Sequence, residues 1–274
     1  MMSPRRQPEC EGTLSRRGAA ARRRWLLVAI TGMGAAVSVG LAGCLTRPAE
    51  GQDPAPGLSY RRLEIAASAE GDAAELHALR VDPARYRIRL VTAGAGDTAT
   101  ARRLAVSSGA LAVINGGFFD EDFRPLGLRV ARGRRLRPLR RADWGVFLIR
   151  DGHPEIVHTR DYRPEGVSEA LQCGPRLVVR GEITRLKQQS AQRACVGIDR
   201  QGRVVLAVTR GHDVDATYLA RALRRPEEEG GLGCRDALNL DGGPSAQMFV
   251  SVGRFRLDLP GTWGVPDGLG VFPR

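Results

Sequence analysis

The sequence predicts an α+β domain, a largely antiparallel or mixed β-sheet with a few flanking helices. Short apolar or alternating segments recur from residue 58 to 274, bounded by glycine and proline turns. Two stretches carry helical patterning instead. No internal repeat breaks this order, so one domain over 58–274 is expected, a length that a single core can serve.

Taken in order, Arg61–Ala67, Glu75–Val81 and Tyr86–Thr92 read as strands, with Asp82-Pro83 turning between the second and third. Thr98–Ser108 has few breakers and reads as a helix capped by Asp97 or Thr98. A buried strand, Ala110–Ile114, follows. Leu126–Val130, Gly145–Ile149 and Pro154–His158 read as antiparallel strands, the last two joined by Asp151-Gly152. Arg176–Val179 turns at Arg180-Gly181, and residues 194–209 form the clearest hairpin, turning at Arg200-Gln201-Gly202. Asp215–Arg225 places Tyr218, Leu219, Ala222 and Leu223 on one helical face. A strand through Ala237, Leu238 and Leu240 then enters a glycine turn, and Met248–Leu257 is a β pair around Gly253.

Residues 1–44 read as a targeting segment. Arg16, Arg17 and Arg22–Arg24 form a basic region and Trp25–Leu41 an apolar one, too short and interrupted for a permanent span. The segment ends in Leu41-Ala42-Gly43-Cys44, which resembles a bacterial lipobox and implies acylation of Cys44. Arg22-Arg23-Arg24-Trp25-Leu26 also resembles a twin-arginine export signal, leaving the route open. Residues 45–57 are rich in proline and glycine and read as a flexible tether. These features predict a protein exported and lipid-anchored to the bacterial cell envelope.

The formal charge of +12 raises the question of nucleic acid. Without residues 1–43 the excess falls to +7, is mostly dispersed, and has no aromatic-interleaved motif beside it, so nucleic-acid binding is not expected. Lys187 is the sole lysine, which suggests a GC-rich coding bias rather than a binding patch. With Cys10 removed and Cys44 acylated, Cys173, Cys195 and Cys234 remain in an oxidising compartment. Their spacing argues against a zinc site and permits one disulfide, Cys173–Cys195 being the pairing favoured.

Two stretches carry the chemistry. Asn115-Gly116-Gly117-Phe118-Phe119-Asp120 and Asp241-Gly242-Gly243-Pro244-Ser245 each place a glycine pair at the end of an apolar strand. Such bends hold N–H groups outward and can cradle an anion, or they can simply be turns whose polar side chains cap backbone amides. With Gly174-Pro175-Arg176-Leu177 and Arg193-Ala194-Cys195-Val196-Gly197-Ile198, these ordered motifs resemble the phosphodiester glycosidase family. That family includes the lysosomal uncovering enzyme, which removes N-acetylglucosamine from a sugar-1-phosphodiester. The resemblance runs from about Tyr60 to the C-terminus. It departs where Pro244 replaces a glycine usual in the family, which stiffens the turn and removes an N–H.

The resemblance implies a glycan phosphodiester substrate, and no cofactor is expected. Cleavage at an anomeric carbon needs a carboxylate beside an oxocarbenium-like transition state, with cations or N–H donors on the phosphate. Asp241 is the first choice for that carboxylate. Asp120 is the second, or else a loop carboxylate in an acidic run, and His212 is an acid/base candidate or a structural strand-end histidine. Arg193 is read as a phosphate grip or a surface arginine, and Asn115 as a donor to a sugar hydroxyl or to its own turn. Ser245 is expected to donate to substrate, lacking a nucleophile elbow. Gly116, Gly117, Gly242 and Gly243 would let the backbone approach the ligand. Asp120, Asp122 and Asp241 lack calcium-loop spacing, so no metal is expected. The alternatives are a phosphodiesterase cleaving P–O, and a glycan-binding lipoprotein without turnover.

Overall fold

The computed structural model describes residues 50–94 and 96–274. The expected leader, including Cys44, and the start of the expected tether lie outside them. Twenty β-strands, two α-helices and three 3₁₀ turns make up the described chain. Every strand pairing is antiparallel. This overturns the α+β expectation: the fold is β-rich, and its helices are only 8 and 9 residues long.

Three large sheets build it. The eight-stranded sheet runs Glu50–Ala55, Leu58–Ala66, Ala73–Val81, Val204–Gly211, Ala194–Asp199, Cys234–Asn239, Arg176–Val179, Glu182–Ile183. A C-terminal sheet runs Phe255–Leu259, Met248–Val252, Ala112–Asn115, Asp267–Pro273, Tyr86–Thr92. A middle sheet runs Arg134–Arg137, Arg129–Ala131, Val167–Cys173, Gly145–Arg150, His153–His158. One apolar cluster joins all three through Leu206 and Leu238, Ile114 and Leu269, and Phe147 and Leu171. Each fully buried side chain of this size stabilises by about 1.5–3 kcal/mol. The sheets therefore cover one another, and helices are not needed as a layer.

The helices fill what remains. Ala216–Arg224 lays Leu219, Ala220 and Leu223 against the outer face of the eight-stranded sheet, beside Cys195, Ala207 and Ala237. Asp215 caps it by accepting from Thr217 N at 2.8 Å. Ala101–Ser108 packs on the C-terminal sheet near Val113 and Val265. Its cap is Thr100, which accepts from Arg103 N, rather than Asp97 or Thr98.

Three further expectations change. Within 45–57, read as a tether, Glu50–Ala55 is an edge strand on Leu58–Ala66, a position that tolerates Pro54. Val167–Cys173 and Asp267–Pro273 are strands the pattern did not announce, because both are buried along most of their length and so do not alternate. The Cys173–Cys195 disulfide does not form, and Cys173, Cys195 and Cys234 are all free and buried. Cys173 lies in the core shared by the sheets, while Cys195 lies on the opposite, helix-covered face. Burial pushes the Cys173 and Cys195 thiols up to about 12.

Candidate active site

The two glycine motifs meet where the three sheets converge. Asn115 ends a strand of the C-terminal sheet, and Asp241 follows one of the eight-stranded sheet. Asp241 N donates to Gly116 O at 3.1 Å, and Asn115 Nδ2 donates to Asp241 O at 2.9 Å. Asn115 also donates to Gly116 O, and its Oδ1 accepts from Gln247 N at 3.1 Å. Asn115 is fully buried and committed to these bonds, so it clasps the two motifs together.

Asp241 is the half-buried carboxylate of the site. Burial raises its pKa above the ordinary value of 3.8, and the negative charge of Asp267 adds to the rise. A hydrogen bond from Ser245, one from Gly242 N at 3.1 Å, and the charge of Arg129 act the other way. Ser245 is buried beneath the turn, so its hydroxyl serves Asp241. The turn is not an anion nest. Gly243 N donates to Gln192 O, Ser245 N to Gly242 O and Ala246 N to Gly243 O, while Pro244 has no N–H.

Beneath Gly116 and Gly117 lies a pair that the sequence reading missed. Arg129 Nε donates to Asp267 Oδ2 at 2.6 Å, with side-chain exposures of 1% and 0%. Arg129 Nη1 donates to the carbonyls of Leu126, Leu128 and Gln172. Arg129 Nη2 and Asp267 Oδ1 are buried without hydrogen-bond partners. A Cβ on Gly116 would stand 1.8 Å from Asp267 Oδ1, and one on Gly117 would stand 2.9 Å from Arg129 Nη2. Only glycine admits this approach, since real Cβ contacts are longer. The available signal was a charged residue inside an apolar strand, Leu128-Arg129-Val130, and an acid at the head of a buried glycine-containing one.

One wall beside Gly117 is aromatic. Phe118 meets Trp144 edge-on at 5.2 Å, and Arg140 lies over the Trp144 ring at 5.7 Å. A Cβ on Gly174 would stand 2.8 Å from Trp144, which ties the Gly174-Pro175-Arg176-Leu177 motif to the same wall.

The other expected residues take different places. Arg193 is buried, donating to the carbonyls of Val214 and Gln189, so its guanidinium braces a loop and is not offered to phosphate. Asp120 Oδ1 accepts from Asp122 N at 3.1 Å and Arg124 N at 2.8 Å, closing its own turn. Asp122 pairs with Arg124. His212 occupies an exposed bend whose carbonyl accepts from Gln192. Gly242 abuts Gln192 O and Gly243 turns at φ 55°, so both serve the bend. Among the described residues no group of three or more His, Cys, Asp or Glu side chains is placed to hold a metal.

Comparison with known proteins decides the family. The family described as Phosphodiester glycosidase matches residues 108–272, more than half of the chain. The chain belongs to the phosphodiester glycosidase family. Its fold is similar to that of the catalytic domain of zebrafish N-acetylglucosamine-1-phosphodiester alpha-N-acetylglucosaminidase, auto-inhibited by its pro-peptide. There the TM-score is 0.65 at 18% identity, over 85% of this chain and 90% of that one. A hypothetical Synechocystis protein aligns at TM-score 0.60 and 16% identity, over 83% of this chain and 64% of that one. A putative exported protein of Burkholderia pseudomallei aligns at 0.56 and 14%, over 76% of each chain. No curated protein matches the sequence. The glycosidase match spans Asn115, Arg129, Asp241 and Asp267 together.

Two outcomes follow for this glycosidase site. Arg129→Met strands Asp267 as a buried unpaired charge, and thermal or urea unfolding should register a loss of about 3–5 kcal/mol. An unchanged midpoint would mean the pair does not hold the sheets together. Ser245→Ala removes a bond favouring ionised Asp241, raising its pKa further. The acid limb of kcat/KM should then shift to higher pH, and a limb that stays or falls contradicts Asp241 as the required carboxylate.

Proposed function

We propose that this protein is an exported, lipid-anchored hydrolase cleaving a glycosyl-1-phosphodiester of the N-acetylglucosamine-1-phosphodiester type in envelope or extracellular polysaccharide. The observation that carries the reading is Asp241, a reachable carboxylate of raised pKa held rigidly over a buried Arg–Asp pair. Family membership supports the reaction class.

In this reading the anomeric carbon sits against Asp241. The C–O bond breaks and the phosphate departs with its electron pair, so strong acid assistance is not required. The elements of water end as a hydroxyl on the sugar and a proton released with the phosphomonoester. Asp241 carries the negative charge that the oxocarbenium-like transition state needs. Ser245 and Gly242 keep that carboxylate oriented and ionised. Neither the glycine turn nor Arg193 is free to grip phosphate, so that role falls to Arg140 and Arg176 beside Trp144. Arg140 stacks on the ring, and Arg176 runs along the adjacent Gly145. Guanidinium groups suit this bidentate contact.

Incubation of the full chain with N-acetylglucosamine-1-phosphomethyl ester should release free N-acetylglucosamine and methyl phosphate. Asp241→Asn should lower the rate by roughly 10²–10⁴-fold, the range for a lost acid/base or nucleophilic carboxylate. Release of N-acetylglucosamine-1-phosphate would mean P–O cleavage instead, and binding without turnover would mean a glycan-binding protein. For the anchor, a fatty-acid label fed to producing cells should enter the parent and be absent from Cys44→Ala. Equal labelling of both, or of neither, would remove the lipoprotein reading.

A further inference from the structure

Among the described residues, large apolar side chains stand exposed at only a few positions, and two of them share one groove. Trp263 is 58% exposed and Phe123 is 42% exposed. Phe119, Asp120, Thr98 and Thr262 line the same groove.

Both aromatics are held out by fixed backbone. Trp263 N donates to Pro244 O at 3.1 Å, and Trp263 O accepts from Gln247 Nε2 at 2.9 Å. Ala99 and Val265 exchange backbone hydrogen bonds at 3.0 and 2.9 Å just beyond. A Cβ on Gly261 would stand 2.6 Å from Pro244 O, and one on Gly264 would stand 2.6 Å from Thr98 Oγ1. The loop is thus clamped on either side of Trp263, and its partners Pro244 and Gln247 belong to the turn that carries Asp241. Phe123 has φ 57°, unusual for a bulky residue, and its N–H donates to Asp120 O at 2.9 Å. Its ring lies 5.9 Å from that of Phe119. Local strain that persists in a defined turn points toward use.

We propose that this groove is a saccharide-binding subsite that takes a neutral pyranosyl unit of the glycan, on a loop bonded to the turn that carries Asp241. The choice of a sugar rests on the glycosidase reading; the choice of a neutral one rests on the groove. Aromatic faces pack against the C–H face of a pyranose. Asp120 Oδ1 is taken by its turn, which leaves Oδ2 to accept from a sugar hydroxyl. Thr98 and Thr262 add hydroxyls at the rim. The Asp120 and Glu121 carboxylates disfavour an anionic ligand, and polar groups interrupting the aromatics disfavour a lipid tail. The groove holds glycan beyond the scissile unit, on pre-oriented side chains that lose little entropy on binding.

The test uses the full chain carrying Asp241→Asn, titrated with phosphate-free N-acetylchitotetraose, mannotetraose and maltotetraose by calorimetry and tryptophan fluorescence. At least one should bind saturably, with affinity falling tenfold or more on adding Trp263→Ala. Val106→Ala, an exposed apolar change elsewhere, should leave it unchanged. The melting temperature of Trp263→Ala should match its parent. No binding by any of the three, equal affinity after Trp263→Ala, or displacement of the sugar by tetramethylammonium overturns the subsite. The Asp241-containing parent is assayed alongside for turnover of N-acetylglucosamine-1-phosphomethyl ester. Turnover without sugar binding sinks the subsite alone, whereas sugar binding without turnover sinks the hydrolase reading alone.

Discussion

Arg129 and Asp267 come from different sheets, 138 residues apart in sequence, and meet at 2.6 Å with almost no exposure. Taking two charges out of water is costly, and the arrangement holds only where geometry and further hydrogen bonds compensate. Here three carbonyls share Nη1, and Nε is given to the carboxylate. The pair pins the middle sheet to the C-terminal sheet. It also dictates what covers it, because a side chain at Gly116 would collide with Asp267 Oδ1. The glycine pair of the first motif is therefore a consequence of the ion pair below it.

Around this floor the polar residues divide their work by depth. Asn115 and Gln247 lie fully buried and join elements. Asn115 ties the two glycine motifs. Gln247 accepts from Ala101 N at 2.7 Å and donates to the carbonyls of Ser245 and Trp263. One glutamine thus links a helix start, the Asp241 turn and the Trp263 loop. Asp241 alone of the two acids remains within reach of a ligand, and its field is set by Asp267 and Arg129 with opposite signs. A carboxylate in such surroundings stays poised above the ordinary range without losing its partners.

Much of this was legible from residue order. The hairpin read at 194–209, the helix read at Asp215–Arg225 and the strand pair around Gly253 are local objects, fixed by alternation, one apolar helical face and turn residues. Asp241 became a candidate because a carboxylate at the junction of an apolar strand and a glycine turn has few places to go. That sheets rather than flanking helices cover one another was not legible, since whether a helix or a second sheet covers a given face depends on elements far away in sequence. Asp267–Pro273 illustrates this: it pairs with Ala112–Asn115 and Tyr86–Thr92, and its buried, glycine-broken run carries no period.

By itself the sequence determined the family motifs and the approximate place of many strands, and it nominated Asp241 as the carboxylate of the site. Only the tertiary structure decided which polar groups are free. Arg193, Asn115 and the amides of the Asp241 turn could each serve substrate or structure, and each is taken by a backbone or side-chain partner brought in by folding. Cys173 and Cys195 looked ready to pair, and a sheet lies between the cores they occupy. Hydrogen-bond capacity is a property of the residue, but what satisfies it is a property of neighbours that chain order does not name.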